Sequence, residues 1–159
     1  MPLAPFRAAL AAAVVATVAA CAEPPAPSPE QQAVFAQSVD AEVVVASVKN
    51  AMRYATPVVE APAGATVRLV MDNSETTSPA MVHNVVVVTS EPAVERVGRA
   101  ASGDQLPDDA AILTATPLAG PGERTAVVFT MPPPGRYPFL CTYPGHFQFM
   151  QGTLVSTAP

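Results

Sequence analysis

The chain has 159 residues, of which half are hydrophobic, and its 13 acidic against 8 basic side chains give a formal charge of −5. That length suits one domain once any targeting segment is set aside. The mild acidity, with no Lys/Arg cluster anywhere, excludes a nucleic-acid binder and would steer the protein toward basic partners.

Residues 1–20, MPLAPFRAALAAAVVATVAA, read as a secretory signal peptide. Arg7 supplies the positive n-region, and the apolar run Ala8–Ala20 is thirteen residues long, too short to span a bilayer as a helix. The stretch Val18-Ala19-Ala20-Cys21 resembles a bacterial lipobox, in which the cysteine is acylated and becomes the new N-terminus. Ordinary cleavage after Ala20 is the alternative, and both readings export the mature chain. Removing residues 1–20 takes away Arg7 and no acidic residue, which leaves a charge of −6. With lipid on Cys21, Cys141 is the only thiol of the folded domain and no internal disulfide can form. A lone thiol in an oxidising compartment persists only if it is buried, bonded or metal-bound.

Residues 21–37, CAEPPAPSPEQQAVFAQ, carry Pro24, Pro25, Pro27 and Pro29 and read as an extended tether that holds a domain over 38–159 off a membrane surface. From Ala41 onward, β-branched runs predict strands at 41–48, 55–60, 66–72, 82–89, 112–116, 124–131, 135–141 and 151–157. Turn signals separate them, among them Ala61-Pro62-Ala63-Gly64, Asp72-Asn73-Ser74, Gly120-Pro121-Gly122 and Pro132-Pro133-Pro134-Gly135. Alternation through Thr66-Val67-Arg68-Leu69-Val70 implies one buried and one wet face. Many short strands with frequent turns argue for an all-β antiparallel sandwich or barrel. Residues 90–110 break the rhythm. There Ser90, Pro92, Val94 and Val97 predict a short helix or flap with a packing role.

The last predicted hairpin contains CTYPGHFQFM, with Cys141, His146 and Met150 at Cys-x4-His-x3-Met spacing. The second of only two histidines, His83, opens an earlier strand in Met81-Val82-His83-Asn84. Singly, such residues are usually a small buried hydrophobe and satisfied polar groups. Together, one thiolate, two imidazoles and a thioether are the donor set of a type 1 copper site: soft sulfur suits Cu(I), imidazole suits both oxidation states, and a weak axial Met tunes the potential. Zinc fits less well, because it prefers four strong ligands and seldom takes Met.

These two blocks resemble the azurin-type cupredoxins of the plastocyanin/azurin family. The run Cys141-Thr142-Tyr143-Pro144-Gly145-His146 with Met150 and Gly152, followed by Thr153-Leu154-Val155, is especially similar to the auracyanins. The resemblance covers residues 41–157 and is strongest at the C-terminal end. It implies a Greek-key β-sandwich with about eight strands and one short helix or flap. It also implies one type 1 copper cycling between Cu(I) and Cu(II), held by His83, His146, the Cys141 thiolate and an axial Met150. The Val82 carbonyl matches the place where azurins offer an opposite axial oxygen, although azurins usually have Gly there. Asn84 matches a residue that ties the two ligand loops together through Thr142. Ordinary turn hydrogen bonding is the alternative for both, and core packing for Met150. The disulfide that azurins carry far from copper has no counterpart here. Met81, Tyr143, Pro144, Phe147 and Phe149 form the expected apolar docking patch around His146, with some rings turned inward.

The expectation is therefore a lipid-anchored electron carrier, not an enzyme, in the periplasm or on the outer face of a bacterial membrane. It would pass single electrons between membrane or soluble redox proteins, such as cytochromes or oxidases, and bind no small-molecule substrate. A copper oxidase or nitrite reductase needs further histidine pairs, and both histidines here are spent on one centre. A copper chaperone or storage protein is the alternative. Such proteins favour Met-rich or paired-Cys arrangements, whereas these six methionines are scattered. A metal-free structural sandwich is the plainest rival.

Overall fold

In chain order the protein runs α1 (Pro29–Ala36), β1 (Ala41–Ala46), β2 (Val58–Pro62), β3 (Thr66–Asp72), β4 (Val86–Val88), α2 (Glu91–Ala100), β5 (Ile112–Ala115), β6 (Arg124–Thr130), β7 (Gly135–Leu140) and β8 (Gln151–Thr157). This is a computed structural model that describes residues 26–158; the expected signal peptide and Cys21 lie outside the described residues. The strands form two sheets, one ordered β1-β3-β6 and the other β2-β8-β7-β4-β5. All eight predicted strands are present, most of them shorter by a residue or more. The pairing is mixed where antiparallel pairing was expected, since β1 runs parallel to β3 and β2 parallel to β8. The chain crosses to the facing sheet as β2 before returning as β3, so β3 re-enters beside β1 in the same direction.

The core lies between the sheets. Val43, Val45, Val67, Leu69 and Met71 face Val85, Val87, Phe139 and Leu154, and Cys141 and Met150 belong to the same cluster. The run Val85–Val88 does not alternate between buried and wet because the second sheet is covered on both sides. Val86, Val88 and Leu140 pack beneath Ala93, Val94 and Val97 of α2. Burying a valine stabilises the fold by roughly 1.5 kcal/mol or more, so continuous burial explains an all-valine run better than periodicity does.

Two expectations fail on the first sheet, for one reason. The tether was read as extended through Gln37, yet residues 29–36 are helical. Pro29 occupies the first turn, where its missing N–H costs nothing, and Ser28 accepts from the Gln31 amide as N-cap. The buried Gln31 side chain both donates to the Ala126 carbonyl (3.3 Å) and accepts from the Ala126 amide (2.6 Å), closing part of the β6 edge. With α1 lying over this sheet, Arg68 and Val70 are buried instead of wet. The Arg68 guanidinium is satisfied by the Val34 carbonyl (3.3 Å), the Gln37 carbonyl and Glu42 (2.9 Å).

One close approach fixes how the ligand-bearing hairpin sits. A Cβ on Gly152 in β8 would lie 2.2 Å from the Phe139 ring and 2.6 Å from the Pro57 carbonyl oxygen. Neither neighbour can yield cheaply, because one is a fully buried ring and the other is backbone. Gly152→Ala should therefore destabilise the protein by about 3 kcal/mol, read as a lowered denaturation midpoint with unchanged m-value.

Candidate metal centre

Three loops meet at one end of the sandwich. Cys141 directly follows β7, and its amide donates to the Met150 carbonyl at 3.1 Å, one step beyond the Leu140–Gln151 pair that closes the β7–β8 ladder. The loop between them is thus pinned at both ends, which is why Cys and Met stand nine positions apart. Gly145, at φ +84°, makes the bend that a side chain would strain. The His146 carbonyl then accepts from the amides of both Phe149 and Met150 at 2.9 Å. His83 lies on another loop, before β4, where its amide and carbonyl pair with Ala119 at 3.1 and 2.7 Å.

These contacts bring three donor atoms together. The Cys141 sulfur lies 4.0 Å from His83 Nδ1 and 3.8 Å from His146 Nδ1, and the two nitrogens are 3.2 Å apart. All three residues are buried, His83 and Cys141 completely. Met150 is also fully buried, in the core cluster that contains Cys141. Burial disfavours charge on each group. It pushes the Cys141 thiol up to about 11, against a smaller opposing pull from the backbone of Asn84 and Tyr143. Burial first, and then the neighbouring His146, depress His83 to about 4, and burial lowers His146. The imidazoles are therefore neutral at pH 7, the form in which they ligate metals.

The Asn84 side chain accepts from the Thr142 amide and donates to its hydroxyl, each at 2.8 Å, and so joins the His83 loop to the Cys141 loop. Other contributors escaped sequence reasoning. Thr142 also donates through its hydroxyl to the Gly103 carbonyl (2.6 Å) and accepts the Gly103 amide (2.9 Å), which gives residues 90–110 a role beyond packing. Buried Asn73, read as a turn signal, donates to the carbonyls of Met81, Ala119 and Gly120 and is itself held by the Ser47 hydroxyl. Tyr54, also buried, donates its hydroxyl to the Asn84 carbonyl. No local motif marks these three; only their distant partners reveal them. Among the described residues His83 Nε2 has no hydrogen-bond partner, so that ring is oriented by packing and by the Ala119 bridge.

The expected patch divides. Phe149 is 63% exposed and Pro144 is exposed, whereas Met81, Tyr143 and Phe147 are half-buried. The Tyr143 ring packs on the His146 ring at 4.9 Å. Phe147 turns toward α2, where a Cβ on Gly98 would come within 2.5 Å of its ring.

Residues 41–156 match the family model described as copper binding proteins, plastocyanin/azurin family. The chain belongs to that family. Among its relatives, auracyanin-A of Chloroflexus aurantiacus is 36% identical over 100 residues, which cover 58% of this chain and 60% of the relative. Azurin iso-2 of Methylomonas sp. (strain J) is 37% identical over 82 residues, covering 46% of this chain and 64% of the relative. The aligned part thus spans less than two thirds of either relative's own length. Among solved structures, auracyanin B superposes with a TM-score of 0.68 at 30% identity, over 76% of this chain and 91% of that one. Auracyanin A, a "blue" copper protein, gives 0.63 at 30% identity over 72% and 97%.

The residues present fit the plastocyanin/azurin family's metal. One thiol and two neutral imidazoles form a dry triangle with sides of 3.2 to 4.0 Å, with no carboxylate in it. That set is suited to copper and poorly suited to hard, oxygen-seeking cations. Cys141 would ligate as the thiolate, so metal uptake would displace its proton.

In the metal-free protein the depressed His83 couples pH to stability. Its folded value of about 4 lies below the ordinary 6.5, so the unfolded chain binds the proton first as pH falls. The contribution is complete above pH 6.5 and is lost progressively toward pH 4. After allowance for screening at a loop end, it amounts to about 2 kcal/mol. Urea denaturation of the metal-free protein at pH 7 and pH 4 should show that loss, and it should shrink in His83→Asn.

Proposed function

We propose that this chain is a type 1 copper electron carrier that shuttles single electrons between redox proteins of the cell envelope. His83 and His146 would hold copper through ring nitrogens, Cys141 through its thiolate, and Met150 as a weak axial thioether. The Val82 carbonyl would add at most a weak further oxygen. When bound, copper supplies a one-electron couple. The protein's part is to keep the donors fixed and water out. The observation that carries this reading is the burial of all three donors, with His146 only 4% exposed, while Phe149 and Pro144 of the loop that carries His146 are exposed. A site closed in this way offers no open position to a substrate, so the chain is read as a carrier and not an enzyme. It also disfavours the chaperone or storage alternative, which needs ligands that a recipient can reach.

The rim fits the task. Weak redox encounters use small interfaces; Phe149 and Pro144 are exposed on the loop that carries His146, and the Tyr143 ring packs on that imidazole. Donors and acceptors such as cytochromes or oxidases would dock there and exchange electrons through His146.

Membrane attachment is a separate part of the proposal. Residues 1–20 would be cleaved and Cys21 acylated, leaving the domain on a tether at the periplasmic or outer face of a bacterial membrane. With α1 docked on the domain, the tether is residues 21–28, a span of at most about 25 Å. Among the described residues no helix is long and apolar enough to cross a membrane. Several acyl chains on one cysteine would anchor firmly where one would not.

Two experiments test these readings. Copper-loaded wild type should take up one ion per chain and show an intense thiolate-to-copper band with a reversible one-electron couple. Cys141→Ser should lose the band entirely while its metal-free form stays folded; a pale wild-type complex would refute the carrier. Cys21→Ser should move the protein from the membrane fraction to the soluble one with its copper spectrum intact, and continued membrane association would refute the lipid anchor.

A further inference from the structure

The chain enters the fold at the end that carries the metal centre. β3 and β6 pair from Thr66–Thr130 to Asp72–Arg124, and one step beyond, Asn73 exchanges backbone bonds with Glu123 and Gly122. At that level the Asn73 side chain holds the Met81 and Ala119 carbonyls, and Ala119 is the backbone partner of His83. α1 runs along this sheet away from that end. Gln31 is bonded to Ala126, the Val34 and Gln37 carbonyls accept from Arg68, and the Asp40 amide donates to the Thr66 carbonyl at the far end. Traced back toward the N-terminus, the chain therefore climbs to the metal end. There the Gln32 side chain holds the Pro27 carbonyl (2.8 Å), and Ala26 and Pro27 line a groove with Leu118 and Gly122. Leu118 directly precedes Ala119.

Lengths then limit how an anchored domain can stand. At full extension, about 3.6 Å per residue, the five steps from Cys21 to Ala26 span at most about 18 Å. A strand rises about 3.3 Å per residue, so the six steps from Arg124 to Thr130 carry the sheet about 20 Å from the metal end, before any loop is added. A domain standing on its far end would hold Ala26 beyond the reach of that tether. A small protein is about 30 Å across, too wide to enter the gap that the tether leaves beneath the metal end. The loop from Cys141 to Met150 carries no Asp, Glu, Lys or Arg, so it can meet a lipid surface without the cost of desolvating a charge.

We propose that the anchored domain turns its metal end, with the exposed Phe149 and Pro144, toward the membrane, and that the partner docking there is an integral membrane redox protein met by lateral diffusion. This rests on the lipid-anchor and copper-carrier readings. Such a partner presents its redox group at headgroup level and rises from the bilayer instead of arriving from solution. It takes one electron from Cu(I) or gives one to Cu(II), and no atom or proton is transferred.

The test uses the full-length lipidated protein as diamagnetic Cu(I), in phosphatidylcholine nanodiscs that contain a gadolinium-chelating lipid. Relaxation of the Phe149 and Gly122 amides should be enhanced several-fold more than that of the Gly64 and Gly135 amides, which lie at the far end. Inserting about twenty Gly and Ser residues between Pro25 and Ala26 should erase the difference, since such a linker spans about 25 Å on average. Equal enhancement at both ends of the native chain, or stronger enhancement at Gly64 and Gly135, would overturn the orientation. Electron exchange with soluble Cu(II) Cys21→Ser protein, read from line broadening, should be about fivefold or more slower for the anchored protein than for Cys21→Ser with itself. The inserted linker should restore it. Exchange as fast from the native anchored protein as from the soluble one would overturn the partner class. Absence of acyl chains on Cys21, seen by mass spectrometry, would instead remove the anchor reading, and this inference would fall with it.

Discussion

Holding a thiol and two imidazoles within 4.0 Å of one another, out of water and without a charged partner, is the constraint around which this fold is arranged. Each group loses hydration, and none gains an ion pair in return. The thiol pushed up to about 11 and the histidine pulled down to about 4 record that cost directly. A chain free to relax would separate the three. The ligands stay together because each is anchored through backbone to something that cannot move independently.

The anchors are of two kinds. Cys141 and Met150 continue the β7–β8 ladder, so the loop inherits the rigidity of a five-stranded sheet. His83 is outside any long strand and is held by hydrogen bonds instead: the Ala119 bridge, the Asn73 amide spanning three carbonyls, and the Asn84–Thr142 pair. Each such bond nets only about 1 kcal/mol, but leaving any of these buried groups unpaired costs up to about 3. The network therefore resists small movements of the three donor side chains.

What could be read from the residues follows from how local each feature is. Strand positions were legible because β-branched runs and turn residues are local, and the candidate donors because Cys-x4-His-x3-Met has chemical content. Pairing direction was not, since nothing within β1 or β3 says that β2 will cross sheets between them. The α1 error had a different source: four prolines were counted as helix breakers, although Pro29 begins the helix and breaks nothing. Arg68 appeared wet because the helix that covers it was not anticipated. Asn73, Gly103 and Tyr54 were missed because each contributes through a partner dozens of residues away, or, for Asn73, across a turn that looked ordinary.

Gly98 and Phe147 show how a region of weak sequence resemblance still joins the site. In an exposed helix interior, Ala is favoured over Gly by about 1 kcal/mol. Gly98 is retained where a Cβ would enter the Phe147 ring, and Phe147 directly follows His146. A few residues on, Gly103 is bonded both ways to Thr142, which directly follows Cys141. The segment 90–110 thus grips the ligand loop beside two of its donors. Phe147 turned into α2 cannot also face a partner, which leaves Phe149 and Pro144 as the outward surface of that loop. The same helix that takes up Phe147 therefore decides which side chains of that loop remain available for contact.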